Sequence, residues 1–193
     1  MFDLVRDNPV ATMIVVSEVG LWVLLAAGLI ARYLLRLRAL GAALLWGIPL
    51  LDVALIVAAA IDLRQGAKPG PIHGIAALYL GVSVAFGPTI VRWADVRFAH
   101  RFAGGPAPVK PAKGTPEKAA ALWREWNRVV LAAAIASLTL GVIIVTVARG
   151  EQADALWWWI GRSWAIVGLW LVFGPLWEEV SARTTGSSSV AKK

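Results

Sequence analysis

The chain of 193 residues contains no cysteine. That absence removes disulfides, thiolate metal sites and thiol nucleophiles, and it leaves the redox compartment open. Histidine is almost as scarce, with only His73 and His100. A bis-histidine haem needs two imidazoles facing each other at one depth, and these two fall at opposite ends of their apolar run. No H-E-x-x-H spacing, Walker A loop or G-x-S-x-G elbow occurs. Charge is sparse too, at 16% of residues. No lysine falls inside an apolar run, so a retinal-type Schiff base has no anchor. No cofactor is implied.

What the chain does have is apolar length. Hydrophobic residues make up 59% of it, more than a soluble domain of this size can hide. Five runs, at 10–33, 40–62, 72–93, 127–148 and 155–177, are each near the ~20 residues that cross ~30 Å of hydrocarbon. Backbone groups in lipid must be paired within the segment, so these runs read as helices. The expectation is an all-α integral membrane protein with five transmembrane helices. Asn8-Pro9 reads as an N-cap and first helical residue, and Gly70-Pro71 breaks the chain before the third run. The first ten residues lack a basic n-region and no A-x-A-like site follows. The first run is therefore read as retained, not cleaved.

Basic residues set the expected orientation. Fourteen of the nineteen Lys and Arg fall after the first run, between the third and fourth, or in the tail. The positive-inside rule then puts the N-terminus outside and the C-terminus in the cytoplasm of a bacterial plasma membrane. The net charge of +7 thus describes a face meeting anionic lipid headgroups, and no nucleic-acid motif accompanies it. The chain divides into three helices over 1–93, a basic proline-rich cytoplasmic loop over 94–126, two helices over 127–178, and a disordered tail over 179–193. Within the loop, Thr115-Pro116 reads as the cap of a short helix running into the fourth span, with Trp123 and Trp126 near the headgroups. A weak repeat relates residues 84–97 to 171–183 around a shared Phe-Gly-Pro. It points to a parallel duplication of a two-helix hairpin, with one N-terminal helix added. The plainer reading is that each Gly-Pro kinks or ends its helix.

Charges inside the runs carry the functional reading. Glu18, Asp52 and Arg162 fall where lipid is expected, and such a charge costs about 2.5–3.5 kcal/mol on insertion scales. Depths taken from the ~1.5 Å rise place Glu18 and Arg162 in the outer half and Asp52 near the midplane. One guanidinium can bridge two carboxylates, so a Glu18–Arg162–Asp52 cluster is expected. Its surplus negative charge suits a proton or cation; the plainer reading is glue that fixes helix register. His73 opens the third span as a relay at the outer mouth, or as an ordinary solvated histidine. Tyr79 and Ser83 lie below it, towards Asp52. At the other face, Asp95, Arg97, His100 and Arg101 read as an interfacial anchor, or as a surface for a partner or phosphorylated headgroup. Trp22, Trp164 and Trp170 read as core packing ahead of a flat ligand site.

The segments HGIAALYLG (73–81), FG (86–87), WAD (93–95), RFA (97–99) and FAGG (102–105) resemble a family of uncharacterised polytopic bacterial inner-membrane proteins. Glu18, Trp22, Arg32-Tyr33 and the Pro49-x-x-Asp52 step share the likeness. The resemblance implies a location and brings no activity. Three functions follow from the residues. The first is handling of an ion, proton or small molecule at the intramembrane site, with a homodimer to widen a thin bundle. The second is an accessory or assembly subunit of a larger membrane complex. The third is a lipid-modifying enzyme at the cytoplasmic headgroups.

Overall fold

A computed structural model describes residues 9–181 apart from 69 and 103, and leaves the side chains of residues 9–15, 17, 18, 72 and 102 undescribed. The expected cap at Asn8 and the expected disordered tail beyond 181 lie outside the described residues. Within them the protein is helical and has no strand. Helix α1 spans Pro9–Tyr33, α2 Arg38–Arg64, α3 Pro71–Phe102, α4 Pro116–Thr146 and α5 Glu151–Leu171. A π-helical turn over Val172–Leu176 continues α5, and the helix then runs to Ser181. The helices containing α2, α3, α4 and α5 are long and apolar enough to cross a bilayer, and α1 contributes a shorter apolar stretch, Val19–Tyr33.

Two helices are longer than their apolar runs. The stretch after Trp93 continues α3 by more than two turns, and α4 starts at Pro116, well before its apolar run. Pro116 has no N–H to leave unpaired at a first helical position, and the Thr115 hydroxyl accepts from the Lys118 amide at 3.3 Å.

Each helix packs chiefly on its neighbours in sequence. Lipid is as apolar as leucine, so close approach must come from small residues. A Cβ on Gly81 would sit 2.2 Å from the Ala132 carbonyl oxygen, so α3 and α4 touch backbone to backbone there. Gly28 and Gly41 let α1 and α2 meet in the same way, since a Cβ on Gly41 would lie 2.8 Å from the Gly28 oxygen. By contrast, Gly141 and Gly161 meet nothing.

The connections give the bundle two ends. One end gathers the α1–α2 and α3–α4 connections and the end of α5, and carries most of the arginines and lysines; we call it the basic end. The opposite end holds a buried apolar cluster of Leu63, Ala77, Ala136, Leu140, Ile143 and Leu156. It also holds Gln152, whose Nε2 donates to the carbonyls of Leu63 at 3.2 Å and Ala67 at 2.8 Å. The two Phe-Gly-Pro steps fold differently. Pro88 sits in regular α-helix, with Arg92 Nε donating to its carbonyl at 3.2 Å. Pro175 sits in the π-helical turn, where Trp177 N–H reaches the Val172 carbonyl. Proline cannot donate to the carbonyl four residues back, and widening the turn is one way to absorb that loss.

Candidate functional site

The α2–α3 seam holds Asp52 and His73, two of the three buried polar side chains among the described residues; the third, Ser163 of α5, donates to the Ile160 carbonyl at 2.7 Å. Asp52 is at the middle of α2 and is only 5% exposed. Ser83 of α3 interacts electrostatically with its carboxyl, and Oδ2 has no hydrogen-bond partner among the described residues. A carboxylate oxygen left unpaired and covered is costly, so its presence needs a reason.

Ten residues further along both helices lies a second pair. His73 Nε2 stands 3.5 Å from Asp62 Oδ2. His73 Nδ1 lies 3.1 Å from the Gly70 amide nitrogen and 3.4 Å from the Gly70 carbonyl oxygen, so it can accept or donate there, and Nε2 has no hydrogen-bond partner among the described residues. His73 is 4% exposed, so the expectation of a solvated histidine gives way to a buried one. The reason lies in its neighbours. Trp159 of α5 packs so closely on Gly74 that a Cβ there would meet the indole at 2.0 Å, and this closes the start of α3. The pairs 52/83 and 62/73 share one antiparallel register, about 15 Å apart along the helix axis. Leu55, Ala59, Gly74, Ala76, Ala77 and Gly81 are the buried residues between them, so that stretch is apolar.

The structure does not bring all the expected residues together. Arg162 forms no ion pair among the described residues. It is exposed on α5, with its guanidinium carbon 4.3 Å from the Trp158 ring centre and 5.2 Å from that of Trp159. The Glu18 side chain lies outside the described residues. Tyr79 is 42% exposed, so of the two groups below His73 it is Ser83 whose electrostatics act on Asp52. Trp22, Trp164 and Trp170 are exposed, not core, because lipid solvates an indole as well as a protein interior does.

The basic end is a set of satisfied contacts. Arg32 holds Asp95 through Nε and Nη2, both at 2.9 Å, and the Tyr33 hydroxyl donates to the same carboxylate. Tyr33 stacks on Phe98 at 4.1 Å. Asp95 therefore ties α1 to α3. Sequence reading grouped Asp95 with Arg97, His100 and Arg101, but the structure separates it from them. Arg97 lies over Trp93 at 3.9 Å, His100 Nδ1 meets the Gly105 carbonyl at 3.0 Å, and Arg101 is exposed. Two further ties involve the end of α5. Trp123 Nε1 donates to Glu179 at 2.9 Å, and the Gly114 amide donates to Glu178 at 2.7 Å. No group of three or more metal-ligating side chains occurs among the described residues.

Comparison with known proteins places the chain in a family. It is 35% identical over 150 residues to the uncharacterised membrane protein YmcC of Bacillus subtilis strain 168, covering 77% of this chain and 80% of that protein. No protein-family profile matches, and no solved structure does. The chain belongs to the same family as that membrane protein.

Proposed function

Within that membrane-protein family, we propose that this member moves or exchanges protons at Asp52. The observation that carries the reading is a carboxyl at the middle of a spanning helix, covered by its own chain, with one oxygen unpaired. A metal cation needs several oxygen ligands, and Asp52 with Ser83 offers too few. A proton needs one. His73 and Asp62, about 15 Å further along the same seam, form a second polar pair towards the outside. The basic end faces the cytoplasm and anionic headgroups under the positive-inside rule. A second copy of the chain would complete the pathway alongside this thin bundle.

The rival readings draw less from the geometry. A partner subunit cannot reach a carboxyl that its own helices cover. A headgroup enzyme lacks a free carboxylate at Asp95, which Arg32 and Tyr33 occupy.

The test is decay of an imposed pH gradient in proteoliposomes. Wild type is expected to speed the decay, and Asp52→Asn to lose at least about tenfold of that rate. Equal rates with a wild-type unfolding profile would end the proposal. Loss of a co-purifying protein in Asp52→Asn membranes would favour the accessory role.

A further inference from the structure

A second feature, independent of Asp52, lies at the opposite end. Arg162 is eleven residues into α5, about 16 Å from its start. Helical side chains tilt towards the N-terminus, and here the guanidinium lies over Trp158 and Trp159, one turn earlier. Trp159 is fixed by its contact with Gly74, so the platform is part of the fold. An open groove of about 390 Å³ lies beside it, lined by Gly70, Pro71, Ala155, Trp158, Trp159 and Arg162. The lining is apolar apart from Arg162 and contains no carboxylate.

A cation at membrane depth is costly, and stacking on indole offsets only part of that cost. No acidic side chain among the described residues pairs with Arg162. The chemistry that completes the site is one anion joined to hydrocarbon. Free phosphate would satisfy the guanidinium but leave the groove's apolar walls uncovered. We propose that this groove binds the phosphate of an anionic phospholipid from the leaflet at this end. The guanidinium holds the phosphate oxygens in a charge-assisted, forked contact, and the start of an acyl chain covers Trp158 and Ala155.

Native mass spectrometry of the whole protein in mild detergent tests this, with phosphatidylglycerol and phosphatidylcholine as probes. Any phosphatidylglycerol held at the basic end is common to all variants, so the difference between variants is what counts. Wild type is expected to hold one phosphatidylglycerol about tenfold more tightly than Arg162→Gln, with Arg162→Lys between them. Equal retention by wild type and Arg162→Gln would overturn the proposal. So would equal retention of phosphatidylcholine at this site, or full displacement by millimolar inorganic phosphate. A photoreactive phosphatidylglycerol on unmodified protein supplies a second readout that no misfolded variant can blur. Cross-links on the peptide holding Ala155 to Arg162, or on Gly70-Pro71, are expected, and labelling confined to the basic end would sink the idea.

Discussion

The two ends of the bundle are held together by different physics. At the opposite end, Leu63, Leu140 and Leu156 interlock in a dry cluster, with Trp159 pressed on Gly74. At the basic end, the side chains of Arg32 and Trp123 bond Asp95 and Glu179, and the Gly114 amide bonds Glu178. Packing in a bilayer gains only contact energy, because lipid solvates apolar groups as well as protein does. Hydrogen bonds near water compete with solvent and contribute modestly. Asp52 belongs to neither arrangement. It is as covered as the packed end and as polar as the other, and it is only half paired. A group that neither mode of stabilisation explains is the best place to look for function.

Substitutions can break this contrast or sharpen it. Leu156→Ala opens a cavity at the packed end and is expected to cost about 2–4 kcal/mol, read from unfolding in mixed micelles. A cost below that of any basic-end variant would dissolve the distinction between the ends. Asp95→Ala strips Arg32 and Tyr33 of their shared acceptor. Because the pair is partly exposed, the expected loss is about 1–2 kcal/mol, together with faster proteolysis of the α1–α2 connection. Trp123→Phe keeps the ring but removes the donor to Glu179, for about 0.5–1 kcal/mol. Asp52→Asn is isosteric and removes the charge. Its midpoint should move by less than about 0.5 kcal/mol while the pH-gradient activity disappears. A large destabilisation would make Asp52 a structural residue.

The spans were legible because length and hydropathy are one-dimensional properties, and so was the Thr115-Pro116 cap, whose signal is local. Rotation about each helix axis was not. Depth along α5 was read for Arg162, but both lipid and core select apolar residues, so nothing in the pattern shows which way a given residue turns. That is why Arg162 was expected beside Asp52 and is found over Trp158. Asp95 shows a related limit. Arg32-Tyr33 and Trp93-Ala94-Asp95 each stood out, yet 63 positions separate Arg32 from Asp95 and only topology joins them. Glu178 and Glu179 left no trace in the pattern, since their partners Gly114 and Trp123 lie 64 and 56 positions away and only topology joins them.

The reach of Gln152 has a consequence in time. Ribosomes deliver the chain from its N-terminus, so the carbonyls of Leu63 and Ala67 emerge 89 and 85 positions ahead of the amide that will bond them. The Gly66 amide already meets the Leu63 carbonyl, but the bond to the Ala67 carbonyl must wait until α5 has been made. Trp126 and Trp123 wait likewise for Val167 and Glu179. Helix α5 is therefore the clasp of the described bundle, and a chain interrupted before it would leave the Ala67 carbonyl and the indoles of Trp123 and Trp126 without these partners as the mark of unfinished assembly.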